Sequence, residues 1–476
     1  MNKGREIVWT EKVREIAGVV RQRRTVLAII LALPVLTGIV SARGGSVGGT
    51  ATRSASIPMW LTVLTGGAVV AGSFVFTSFL TDHESVRDVN ARSLPLPVVP
   101  SLESVIKTAG EFIGIATVIF VVYRGLVGTV RPQYNAAILI VWTGWWAGYS
   151  MSTYFVGNSW PILNPWKSVA SRLPTFDRAY PERYGRWPSV GFLLLLVYAE
   201  VVLPVDTVPR LLSLVIVAYS GVTLAGAVVY GEETWFETVD PISGMFRMYG
   251  RIAPVQKTDD GYTLKFPGAL LAESDTAASK DTVAFTIALL WGTSFDGVVT
   301  TGSWSRLTRA VVESGVPYPL VYLFGLGTGF AVFYGAYRFA AARARKRTDT
   351  PVTAEFIEGW FVPALIPIAA AYHVAHYLTY FLGLSPALVV AVSNPFAAPE
   401  TLYTLTIPAW FINVKLLLIV AGHVLGVWIA HSLALSLFPG SLKPIRSQYP
   451  FIVVMVLYTM TGLWIIAQPY VTPPYV

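Results

Sequence analysis

Apolar stretches of span length recur along almost the whole chain, and that recurrence constrains the fold more than any other feature. A helix needs about 20 mainly apolar residues to cross a bilayer. Eleven stretches approach this: 25–41, 57–80, 105–128, 136–157, 187–205, 209–230, 282–302, 318–341, 358–382, 409–437 and 447–468. Only 13% of residues are charged and 54% are hydrophobic, against about 25% charged in a soluble domain. The expected fold is an all-α, polytopic transmembrane helix bundle of ten or eleven spans, forming one domain over 57–476.

Sidedness follows from lysine and arginine, which favour cytoplasmic loops. Basic clusters occur in the amino-terminal 1–24, in 158–186, after the eighth span ("RFAAARARKR") and at Lys443 and Arg446. With eleven spans all four fall on one side. Residues 383–408 and the tail "VTPPYV" have no cation. The expectation is a multi-pass cell-membrane protein, amino terminus cytoplasmic and carboxyl terminus outside. The stretch 25–41 followed by "SARGGSVGG" also reads as a secretory signal, so it is either a retained anchor or cleaved. The net charge of +8 lies mostly in span-flanking loops, and no nucleic-acid motif accompanies it. The partner implied is the lipid bilayer, with a membrane-protein partner or a second copy also open. The chain has no cysteine, which removes disulfides and thiolate chemistry together.

Two cytoplasmic loops, 158–186 and 231–281, exceed what a connection needs. The first, "NSWPILNPWKSVASRLP", reads as an ordered segment at the membrane interface, where indoles prefer to sit. In the second, Asp260-Gly261 between "VQKT" and "YTLKF" predicts a small β-hairpin. Gly325 and Gly329, and Gly144 and Gly148, are each four apart and predict close helix packing.

Ionisable side chains within spans usually face the bundle interior and mark function. They are Glu111, Glu200, Asp296, His373, His376, Lys415, His423 and His431. His373 and His376, in "AYHVAHYLTYF", lie three apart on one helix face. Pro363 and Pro367 precede them and predict a kink. His423 is the best-placed third nitrogen. His431 lies eight residues further, about 12 Å along the axis, and suits a structural role. Two or three histidines with a carboxylate suit one divalent metal such as zinc. Such an ion makes hydroxide from bound water, and Asp296 or Glu200 would take the proton as catalytic carboxylates. The bland alternative is hydrogen bonding that ties helices together. Without metal, the same groups suit an ion- or proton-coupled transporter; a non-catalytic assembly component is the third class.

The segments "IPMWL", "GNSWPILNPW", "GEETWF", "DPISGMFRMYGRIAPV", "SFDG", "HVAHY" and "GHVLGVWIAH" together resemble the polytopic prokaryotic membrane proteins often labelled fenitrothion hydrolase. The resemblance covers most of the chain after residue 57. It implies membrane-bound hydrolysis of an organophosphate ester and carries over no catalytic residue. Two positions depart from that group: "SARGG" replaces an Ala-His-Gly stretch, and Ser432 stands where an aspartate follows "AH".

Overall fold

The computed structural model describes residues 59–97, 100–259, 261–273, 276–397 and 399–476. The stretch 25–41 and Asp260 lie outside the described residues. In chain order the main elements are α1 (Met59–Thr77), α2 (His83–Ala91), β1 (Ser93–Leu96), α3 (Pro100–Val127) and α4. The last joins Ala136–Ile138, Leu139–Tyr149 and Ser150–Phe155 into one helix whose middle piece is π-helical. There follow α5 (Trp187–Val202), α6 (Pro209–Tyr230), α7 (Pro241–Gly250), β2 (Val255–Thr258), β3 (Gly261–Lys265), α8 (Lys280–Val299), α9 (Gly302–Glu313), α10 (Tyr318–Thr348), α11 (Ala354–Ser393), α12 (Phe411–Leu437) and α13 (Leu442–Ala467). Among the described residues eight helices are long and apolar enough to cross a membrane. The composite α4 and the 16-residue α5 are two further apolar helical segments.

Successive segments alternate in direction. On one face the Gln468 amide contacts Met59 Sδ (3.1 Å), Val471 N–H donates to Thr300 O (2.8 Å), and Tyr198 donates to Pro319 O (3.0 Å). On the other, Phe176 N–H donates to Val228 O (2.8 Å), Ala278 N–H donates to Gly359 O (3.1 Å), and Lys257 pairs with Glu103 (2.7 Å). Each pair joins two loops or ends that an even number of crossings places together. The central element is α8. Its apolar window is 78% buried, against 17–56% in the other seven candidate spans.

The expected hairpin is present and gains a strand. β2 and β3 pair antiparallel, Val255 opposite Leu264 and Thr258 opposite Gly261, and Gly261 adopts φ 121° at the turn. β1 adds on the free side of β3, Ser93 opposite Lys265. Pro95 interrupts only this edge strand, where its missing N–H costs least. The segment 158–186 is ordered as expected, with short helices at Trp160–Leu163 and Pro165–Ala170. Its tryptophans are buried rather than laid against headgroups. Trp160 Nε1 donates to Ser243 Oγ (3.3 Å) and Trp166 Nε1 to Ser220 Oγ (2.7 Å).

The kink predicted ahead of the histidines is real. α11 is α-helical over Ala354–Phe361, 3₁₀ over Val362–Leu365 and α-helical again over Ile366–Ser393, so Pro363 and Pro367 each open a new piece. The helix continues past residue 382 through Pro386. Proline leaves the carbonyl four residues back without its donor; Ser385 Oγ supplies one to Leu382 O at 2.9 Å. The glycine pairs do make room, chiefly for rings and side chains. A Cβ on Gly325 or Gly329 would strike Trp304 or Trp291, and one on Gly148 would strike Phe381.

Candidate functional site

Three segments bring the polar groups together. Glu200 lies in the last turn of α5, Asp296 in the last turn of α8, and His376 and Tyr377 on the upper piece of α11. His376 Nε2 is 3.0 Å from Asp296 Oδ2. The Tyr377 hydroxyl donates to the same Oδ2 at 2.9 Å and lies 3.3 Å from Glu200 Oε1. Asp296 therefore holds two donors, and Tyr377 stands between two carboxyl groups. Asp206, in the exposed turn after α5, is close enough for its charge to act on Glu200.

A phenol has one hydrogen to donate. Once it goes to Asp296, the contact with Glu200 is satisfied only when Glu200 carries a proton and donates to the Tyr377 oxygen. The balanced arrangement is Glu200 O–H to Tyr377 O–H to Asp296, with His376 N–H donating from the other side. One proton more or less leaves one of these contacts without a donor or with two.

A small cavity opens on this group. Glu200, Asp296, Tyr377 and Trp146 line it, with Leu193, Val197, Ala288 and Thr293 among the neighbouring walls. Its volume is ≈ 20 Å³, just above the roughly 10–15 Å³ that one water requires. The space beside the group is therefore about that of a single water molecule.

His373 also contacts Tyr377. Both imidazoles pack on the Tyr377 ring, with centroids 4.9 Å (His373) and 4.8 Å (His376) away. His373 Nδ1 lies 3.1 Å from the Tyr154 hydroxyl. Its ring meets Trp146 edge-on at 5.6 Å. Trp146 comes from the π-helical piece of α4, Leu139–Tyr149. Such turns occur frequently at functional sites. Tyr154 in turn packs edge-on against Tyr249, whose buried hydroxyl has no hydrogen-bond partner among the described residues. Polar groups thus run from Asp206 through the carboxyls and imidazoles to two buried tyrosines.

The expected triad of His373, His376 and His423 is not brought together. α12 meets α11 through Gly422 against Ala371 and Gly426 against Ala364, a contact line that His373, two residues on from Ala371, faces away from. His423 Nδ1 is 2.8 Å from Ile419 O of its own helix. Among the described residues no group of three or more His, Asp or Glu side chains is arranged to hold a metal ion. His431 has the expected structural setting. Its Nε2 is 2.8 Å from Leu80 O and its Nδ1 is 3.2 Å from the Gln448 amide. Glu111 forms an ion pair with Arg172. Lys415 has no ion-pair partner among the described residues; Asp296 pairs with His376 instead. Tyr377, Tyr154 and Trp146 were not among the residues singled out from sequence. Tyr377 follows His376 directly, and counting tyrosine among intramembrane hydrogen-bonding groups is the signal that finds it.

Comparison with known proteins adds nothing to this geometry: no protein-family model, no curated protein and no solved structure matches the chain.

Proposed function

We propose that the chain is a proton-coupled membrane transport protein whose coupling site is Glu200, Tyr377, Asp296 and His376. One observation carries the reading: a single tyrosine links two intramembrane carboxyls, one of them paired with an imidazole, beside a cavity sized for one water. Ionisable groups at this depth are costly and persist where they move or bind charge. The broken α11 beside them fits the discontinuous helices that line transport sites. The basic loops 158–186, 342–357 and 438–446 share one face, which supports a cytoplasmic position for it. The site then lies in the outer half of a cell-membrane bundle, with Asp206 at its outer mouth. A metal-dependent hydrolase finds less support. Among the described residues no three His, Asp or Glu side chains are grouped as metal ligands, and the cavity beside the site is about the size of one water.

The test is uptake into proteoliposomes under an imposed pH gradient, with mixed cellular metabolites outside and mass spectrometry of the contents. We expect at least one solute class to accumulate with the wild-type protein, to stop when the gradient is collapsed, and to fail with Asp296→Asn. Accumulation that is the same with and without the gradient, and the same in the variant, overturns the proposal.

A further inference from the structure

A second cavity lies at the opposite face, between the first turns of α3 and the segment 158–171. It is ≈ 300 Å³, and its charged lining is Glu103, Lys107, Glu111, Lys167, Glu232 and Lys257. Some of these charges are already met. Lys257 Nζ is 2.7 Å from Glu103, and Glu111 is 2.5 Å from Arg172. Lys107 and Lys167 have no ion-pair partner among the described residues. Glu232 also lines the cleft and has no ion-pair partner among the described residues. What remains is two free ammonium groups and one unmet carboxylate around one cleft.

We propose that this cleft binds the headgroup of a membrane lipid that carries a phosphodiester and a primary ammonium. The phosphodiester would take its charge-assisted hydrogen bonds from Lys107 and Lys167. The ammonium would donate to Glu232. A quaternary ammonium has no N–H and leaves Glu232 unmet; an anionic headgroup without an amine does the same. The acyl chains also have a place. Beside the cleft α3 exposes Ile106, Phe112 and Ile113, with Phe112 72% exposed. This is the least buried of the candidate spans, so hydrocarbon there continues directly from a headgroup seated in the cleft. A soluble phosphate compound would meet the lysines but would use neither that surface nor, lacking an amine, Glu232.

Native mass spectrometry of the full chain with defined phosphatidylethanolamine, phosphatidylcholine and phosphatidylglycerol tests this. Wild-type protein should retain the ethanolamine lipid about tenfold more than the other two. Lys107→Gln/Lys167→Gln should lower its retention about tenfold. Glu232→Gln should erase the preference for ethanolamine over glycerol headgroups. Lys443→Gln, on the same face and outside the cleft, should change nothing and serves as the folding and charge control. Equal retention of the three lipids by the wild type, or retention unaffected by the double variant, overturns the assignment. Displacement of the lipid by inorganic phosphate or glycerophosphoethanolamine at millimolar concentration makes the ligand a soluble phosphate and also overturns it.

Discussion

Tyr377 has one proton to give and two carboxyl groups to face, Glu200 and Asp296. Asp240 shows how a buried carboxylate differs when its partners suffice. It caps α7, accepting from Ser243 N–H at 2.8 Å and from the Tyr219 hydroxyl. Burial still pushes its carboxyl above the usual range. The folded state therefore binds this proton more tightly than the unfolded chain, and Asp240 contributes less stability as pH rises through that window. Asp240→Asn keeps an acceptor for the cap and removes the titration. Its Tm relative to wild type should rise from about pH 4 to about pH 7; a constant difference would contradict the account. At this scale the sequence was partly legible. Intramembrane ionisable residues are scarce, so Asp296, Glu200 and His376 stand out by composition alone. Which of them meet is decided by helix rotation. The i,i+3 spacing of His373 and His376 fixes a shared sector of one helix but not which neighbour fills it; here both rings pack on Tyr377, and it is His376 that pairs with Asp296.

α11 is the element on which the site depends, and α12 holds it in place. Gly422 and Gly426 let the two backbones approach: a Cβ at Gly422 would lie 2.1 Å from Ala371 Cβ and 2.7 Å from Pro367 O. Gly422→Val should therefore cost about 1–3 kcal/mol of stability by overpacking. Thermal unfolding in detergent reads this out, and an unchanged Tm would show that the contact is loose. The prolines of α11 announced its break, because a missing N–H acts locally and needs no knowledge of neighbours. Its continuation through Pro386 was not legible, since a single side-chain hydroxyl, Ser385, compensates there. Nor was the third strand. β1 pairs with a segment some 170 residues away, and four residues containing a proline give no signal of their own. The tryptophans of 158–170 carried an interfacial reading because indoles favour headgroups; Ser243 and Ser220 on neighbouring helices offer their N–H groups partners inside the protein.

Across the whole molecule, the alternation of spans and the sharing of basic loops agree. Apolar length and charge act additively along the chain, which is why the bundle was legible from sequence while the site was only partly so. Because the chain has no cysteine, single replacements report sidedness cleanly. An impermeant maleimide applied to whole cells should label Thr401→Cys and spare Lys443→Cys; the reverse pattern would invert the topology and place the Glu200 group in the inner leaflet. The central claim is that Glu200, Tyr377, Asp296 and His376 exchange a proton as one linked group. Infrared difference spectra of the purified protein across about pH 4 to 9 test it most directly. The account predicts a protonated-carboxyl band that disappears in Glu200→Gln and is shifted by Tyr377→Phe, together with an imidazole band lost in His376→Gln. A wild-type protein with no titrating carboxyl band, or one whose band is untouched by Glu200→Gln and Tyr377→Phe, would contradict it.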